Sequence, residues 1–209
     1  MRVKVKICGI THEEDAEAAV TAGADALGFN FCPRSVRCLS ASAAARIVRR
    51  IPPFVTTVAV FVDPDTDTVQ AVLRAAAFDL LQFHGRETAE FCESFGRPYI
   101  KTVRVRDEAP EGLDVEHPNA RAWLLDTFVP GADGGTARAF DWSCWPRGVA
   151  RPLILAGGLT PQNVAAAIVA TRPYGVDVAS GVESTQAGRK DVPKLNRFVA
   201  EARDAADRL

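Results

Sequence analysis

Eight short runs of β-branched and apolar residues, each followed by a stretch of helical spacing, limit the folds open to this chain more than any other feature. The runs fall at residues 3–8, 25–31, 56–62, 80–84, 99–105, 122–127, 153–156 and 176–180. Spread over 209 residues they give one unit per roughly 26, enough for a strand, a helix and two connections. Several runs are apolar almost throughout, as parallel strands covered on both faces must be. Eight such units joined by right-handed crossovers predict an α/β protein, a single closed (β/α)8 TIM-type barrel of eight parallel strands forming one domain over 1–209. An open doubly wound sheet is the structural rival, but no GxGxxG follows the first run.

The connecting segments carry helix signals. Thr11 followed by Glu14 reads as a capping box ahead of the stripe Ala16, Ala19 and Val20. Thr160-Pro161 reads as an N-cap and first helical residue ahead of Val164, Ile168 and Val169. Leu195, Phe198, Val199, Ala202, Ala206 and Leu209 recur at helical spacing and predict a last helix packed on the sheet. Residues 40–51, 65–77 and 86–95 are helix-like too, and 107–118 is the least regular unit.

Composition narrows the function classes. The chain carries 25 basic and 26 acidic residues, a net charge of −1, so no general field favours nucleic acid or an anionic membrane. No apolar run approaches the ~20 residues of a membrane span, and Met1-Arg2-Val3-Lys4-Val5-Lys6 lacks the apolar centre of a signal peptide. Five cysteines without CxxC spacing fit a reduced, cytoplasmic chain. Cys32 and Cys38 have no histidine or cysteine pair at zinc spacing, so no metal is expected. Cys92 and Cys144 read as structural, His12 as part of a first helical turn and His117 as an exposed loop residue. Surface composition is compatible with a monomer or a homodimer.

In such a barrel the chemistry lies at the C-terminal ends of the strands. Alternation along the strands turns Lys4, Lys6 and Cys8 inward, with Gln82 and His84, Leu124 and Asp126, and Asp177 and Ala179. Strand 8 neighbours strand 1 on closure, so Lys6 and Asp177 are expected to pair below the site, a buried lysine needing a partner. Cys8 is then a thiol one layer above a cation that would lower its pKa toward the range of a useful base; the other reading is a small buried hydrophobe. Asp126 follows Trp123-Leu124-Leu125, apolar surroundings that favour a protonated carboxyl able to serve as a general acid; the other reading is a cap for the next loop. Glycines at Gly157-Gly158 and Gly181 after the last two strands suit a phosphate, or two tight turns. The glycine-bearing segment 130–140 reads as a water-excluding lid or as a disordered loop. Arg34 and Arg37, just past strand 2, have the geometry to hold a carboxylate in a fork.

These residues, taken in order, resemble a known family along nearly the whole chain. Val5-Lys6-Ile7-Cys8-Gly9-Ile10 opens the match, followed by Gly23–Phe29, Pro33-Arg34-Ser35-Val36-Arg37, Val60-Phe61-Val62 and Leu81-Gln82-Phe83-His84-Gly85. Leu124-Leu125-Asp126-Thr127, Gly134-Gly135-Thr136, Phe140-Asp141-Trp142, Ala156-Gly157-Gly158-Leu159 and Asp177–Glu183 complete it. Each match is short, but the ordered set is similar to the phosphoribosylanthranilate isomerases of tryptophan synthesis. The resemblance implies a phosphorylated small-molecule substrate, no cofactor, and an Amadori rearrangement of N-(5′-phosphoribosyl)anthranilate to 1-(2-carboxyphenylamino)-1-deoxyribulose 5-phosphate. It implies Asp126 as general acid and Cys8 as general base. Arg37 would contact the anthranilate carboxylate, Gly157, Gly158, Ser180 and Gly181 the phosphate, with Gln82 and His84 as further substrate contacts.

Two positions depart from the family pattern. Cys38 stands where an aromatic is commoner, a change expected to loosen the anthranilate pocket, and Ala137 where glycine usually continues the run, a change expected to stiffen the lid. Among other sugar-phosphate barrels, an epimerase would need inward histidine and carboxylate metal ligands, whereas His84 is the one inward histidine expected here. An indoleglycerol-phosphate synthase would need lysines and glutamates at the strand ends, where Lys101 alone comes near. A catalytically silent phosphate-binding barrel would have no use for Cys8 and Asp126.

Overall fold

The computed structural model describes residues 2–106, 108–127 and 141–209. Eight parallel strands close in sequence order, β1 (Lys4–Cys8), β2 (Ala26–Asn30), β3 (Thr56–Phe61), β4 (Leu80–Phe83), β5 (Tyr99–Val105), β6 (Ala122–Thr127), β7 (Leu153–Leu155) and β8 (Gly175–Val178). The β8–β1 register sets Lys6 beside Asp177. Ile100, Ala122, Leu124, Ile154 and Ala156 form a small buried cluster with Leu80. Their positions share the inward parity. The opposite parity, including Ile7, Phe29, Phe61, Leu81, Phe83, Trp123 and Leu125, belongs to the larger core beneath the helices.

The helices are α1 (Glu13–Ala22), α2 (Ala41–Val48), α3 (Thr66–Ala75), α4 (Ala89–Glu93), α5 (Leu113–Glu116), α6 (Val164–Thr171) and α7 (Val192–Asp207). Several start where a side-chain oxygen satisfies an unpaired amide of the first turn. Ser40 accepts from the Ala43 N–H, Asp65 from Thr68, Thr88 from Phe91 and Asp191 from Lys194. The last helix buries Leu195, Phe198, Val199, Ala202 and Ala206 as its spacing predicts, while Leu209 is exposed.

Local signals misled at three places, Thr11, Thr160-Pro161 and His117. Thr11 does not cap α1: His12 occupies the N-cap, and the Thr11 hydroxyl donates instead to the Gly188 carbonyl, a tertiary bond that won over the local one. Thr160-Pro161 forms a turn ahead of α6, whose N-cap is Asn163. Among the described residues no α-helix stands between β6 and β7, only a 3-10 turn at Trp142–Cys144. His117 is buried rather than exposed, packed edge-on against Tyr99 and Trp123. The segment 130–140, with Gly131, Gly134, Gly135, Thr136 and Ala137, lies outside the described residues.

Candidate active site

A cavity of about 430 Å³ occupies the C-terminal mouth of the barrel, and Cys8, Arg37, Gln82, His84, Asp126, Gly157, Gly158, Ser180 and Gly181 all line it. Their order around the mouth follows from the topology. Asp126 is the penultimate residue of β6 and Cys8 ends β1, and β7 and β8, which lead into the two glycine turns, stand between them. Arg37 comes from the loop after β2, on the other flank of β1.

Lys6 lies beneath Cys8. Its Nζ donates to Asp177 Oδ1 at 2.8 Å, both side chains being less than a tenth exposed. Cys8 and Lys6 converge on the bare backbone of Gly28, where a Cβ would sit 2.8 Å from Sγ and 3.1 Å from Nζ. Burial works against the Lys6 charge, but Asp177 and the Cys8 sulfur outweigh it and hold the ammonium above its ordinary pKa. For Cys8 the outcome reverses the expectation. Burial pushes the thiol above its ordinary value, and the Lys6 ammonium offsets that only in part. Sequence parity located the cation but gave no measure of how deeply the sulfur is buried.

Asp126 also differs in its surroundings. The strand below is apolar, but the carboxylate is not left in an apolar pocket: Oδ1 accepts the Thr127 N–H at 2.8 Å and Oδ2 lies 3.2 Å from His84 Nε2. That histidine nitrogen is within ion-pair reach yet is not aligned for a hydrogen bond. His84 is fixed through its own backbone N–H, which donates to the Phe61 carbonyl at 2.9 Å. Gln82 is buried, its Nε2 donating to Thr102 Oγ1 while Oε1 has no partner among the described residues. A buried amide oxygen at a cavity wall is a ready acceptor for a ligand donor.

The turns after β7 and β8 meet. Gly157 and Gly158 take φ of +84° and +62°, and a Cβ on Gly157 would overlap Thr127 Oγ1 and come within 2.8 Å of Asp126 Oδ1. Gly181 lies against the Leu159 carbonyl. Asn163 braces this corner, accepting the Thr160 N–H at 2.8 Å and donating to the Gly158 carbonyl at 2.9 Å.

Arg37 is paired already. Its Nε and Nη2 donate to Glu183 Oε1 and Oε2 at 2.7 and 2.8 Å, and Lys190 Nζ lies 3.2 Å from the same Oε1. Neither Glu183 nor Lys190 was singled out from the sequence. The available signal was Glu183 at the end of the match through strand 8, but nothing local links it to Arg37, 146 residues away. Arg34 lines the cavity as well. Cys38 is exposed, its thiol against the Leu39 carbonyl, and is not part of the cavity wall among the described residues. Lys101, the one lysine near a strand end, is committed to a buried pair with Glu87 at 2.9 Å.

Fold and cavity together define a (β/α)8-barrel enzyme with its site at the C-terminal mouth. Comparison with known proteins narrows this further. A model of the N-(5′-phosphoribosyl)anthranilate isomerase family matches residues 5–201. The chain is 52% identical over 203 residues to the N-(5′-phosphoribosyl)anthranilate isomerase of Pseudomonas fluorescens strain Pf0-1, covering 96% of this chain and 98% of the relative. The phosphoribosylanthranilate isomerase structure from Thermotoga maritima superposes with a TM-score of 0.84 at 41% identity, covering 97% of this chain and 99% of that one. A phosphoribosylanthranilate isomerase in complex with reduced 1-(o-carboxyphenylamino)-1-deoxyribulose 5-phosphate gives 0.81 at 40% identity, with 97% and 99% coverage. The chain belongs to the N-(5′-phosphoribosyl)anthranilate isomerase family.

Proposed function

We propose that the cavity performs the Amadori rearrangement of N-(5′-phosphoribosyl)anthranilate, with Asp126 as general acid and Cys8 as general base. Family membership carries the isomerase activity of tryptophan synthesis; the assignment of residues to steps is the proposal. The observation that carries it is one cavity lined by both a carboxyl and a thiol, with two glycine turns between their strands and an arginine on the far side of the thiol.

Asp126 protonates the furanose ring oxygen, the C1′–O bond breaks, and the nitrogen lone pair gives a protonated Schiff base. The thiolate of Cys8 then takes the C2′ proton, leaving an enolamine whose tautomerisation yields the 1-deoxyribulose ketone. The electron balance closes within the substrate, so the chemistry needs proton transfers alone. Lys6 supports the thiolate from below, while Asp177 keeps the lysine charged. Backbone N–H groups of the Gly157-Gly158 and Ser180-Gly181 turns suit the 5′-phosphate, since such turns approach an anion closely. Arg37 suits the anthranilate carboxylate, and Gln82 Oε1 suits a ribose hydroxyl. The complex of a 40% identical relative with reduced 1-(o-carboxyphenylamino)-1-deoxyribulose 5-phosphate supports this choice of ligand. Five free thiols suit a reducing, cytoplasmic setting, and no helix among the described residues is long and apolar enough to cross a membrane.

The test follows the fluorescence change of the anthranilate group as substrate is consumed. Cys8→Ala and Asp126→Asn are each expected to lower kcat by about 10²–10⁴-fold, the usual contribution of one positioned proton-transfer group. Near wild-type turnover in both folded variants would sink the assignment.

A further inference from the structure

We infer that Glu183, braced by Lys190, is a positioning residue that fixes Arg37 with its terminal guanidinium edge turned to the substrate carboxylate. The inference rests on the substrate reading above and extends it to two residues that do not touch substrate.

An arginine offers two edges able to fork a carboxylate: Nε with Nη2, and Nη1 with Nη2. Glu183 takes the first edge of Arg37, at 2.7 and 2.8 Å. The second edge has no hydrogen-bond partner among the described residues, in a side chain that lines the cavity and is 15% exposed. Glu183 itself is 5% exposed and held from several directions. Lys190 Nζ reaches its Oε1 at 3.2 Å, and Lys194 Nζ donates to its backbone carbonyl at 2.7 Å. Lys190 is wholly buried as a side chain and also donates to the Cys8 carbonyl at 2.7 Å and the Ala179 carbonyl at 3.1 Å. One ammonium therefore ties the end of β1, the end of β8 and the anchor of Arg37 into a single unit.

The charges have a direction as well as a geometry. Two cations, Arg37 and Lys190, share the one carboxylate of Glu183. These three groups taken alone carry one positive charge in excess, and a substrate carboxylate completes an alternating row of ammonium, carboxylate, guanidinium, carboxylate. An arginine held in place before substrate arrives loses less rotamer freedom on binding. Glu183 is thus expected to act on affinity, through Arg37, and scarcely on the proton transfers.

The experiment is a double-mutant cycle on the whole chain with N-(5′-phosphoribosyl)anthranilate, comparing wild type, Glu183→Gln, Arg37→Met and the double variant. Glu183→Gln is expected to raise KM about tenfold with kcat held within about threefold. In the Arg37→Met background the same change should move KM by less than about twofold, because the group it positions is gone. Equal KM shifts in both backgrounds, or a fall in kcat with KM unchanged, would overturn the inference and leave Glu183 a purely structural acid. Should Glu183→Gln not fold, Glu183→Asp replaces it in the same cycle, with a smaller KM rise that again vanishes without Arg37; an additive result overturns the inference equally. A wild-type chain with no turnover would instead remove the substrate reading, and this inference with it.

Discussion

Replacing Lys6 by methionine separates what the buried ion pair does for the fold from what it does for the thiol. Methionine matches the length of the lysine stem without its charge, so packing is largely kept. Asp177 is then left with its carboxylate 9% exposed and without the ammonium that stood 2.8 Å away. Removing one partner of a buried pair typically costs about 3–5 kcal/mol. Asp177 lines the cavity, where solvent can reach it, which places the cost near the lower end, about 3 kcal/mol. For a chain of this size each kcal/mol moves Tm by roughly 2–4 °C, a fall of about 6–12 °C at pH 7 by calorimetry. The double variant Lys6→Met with Asp177→Leu should recover most of that loss, since a well-packed apolar pair replaces a buried ionic one at little cost. Turnover should not recover with it. Burial holds the Cys8 thiol up and the Lys6 ammonium is its largest offset. Without the lysine, the rise of kcat/KM with pH that reports thiolate formation should move to higher pH. The sign for stability runs the other way: the Lys6 pKa is raised in the folded chain, so its contribution is complete at neutral pH and fades only as pH climbs past the lysine range. A Tm change under about 2 °C in the single variant, or a double variant no more stable than the single, would refute the reasoning.

Two further outcomes follow from the packing around the site. Gly157→Ala places a methyl on a backbone at φ +84° and into contact with Thr127 and the Asp126 carboxylate, so kcat should fall at least about tenfold even where the variant folds, as steady-state rates will read. Glu87→Gln removes the charge that Lys101 faces at 2.9 Å beneath the β4 turn, and urea titration should show a loss of about 3 kcal/mol.

The architecture was legible because barrel periodicity is written in the residues themselves. Runs that must be apolar on both faces stand out against helical spacing, and β5 and β6 fall at the expected residues 99–105 and 122–127. Inward parity was legible for the same reason: one alternation fixes every second side chain, and closure then forces Lys6 beside Asp177. Local end signals were less secure. Thr11 carries the right neighbours for a capping box, yet the Gly188 carbonyl, 177 residues away, takes its hydroxyl. Thr160-Pro161 failed because the corner beside the glycine turn needs Asn163 to brace it, which delays the helix by a turn. His117 sits in a poorly patterned unit, where nothing local distinguishes an exposed ring from one packed between Tyr99 and Trp123.

The same division runs through the site and explains why net charge says so little about it. Cys8, Asp126 and Arg37 stand at the ends of strands or just beyond, so strand logic finds them. Glu183 and Lys190 act on groups that strand logic cannot connect to them, Arg37 across 146 residues and Cys8 across 182. Their importance is electrostatic. The chain as a whole carries −1, which gives a substrate anion no long-range attraction. Yet at the cavity Lys6 is balanced by Asp177 while Arg37 and Lys190 share one glutamate, so the positive charge facing the expected carboxylate is that of a guanidinium only partly neutralised by its glutamate. Because these groups are buried, that charge is poorly screened. Affinity for substrate should therefore weaken less with added salt than it would for a surface cluster. KM measured across rising ionic strength separates the two, a shallow dependence supporting a buried clamp and a steep one a surface field.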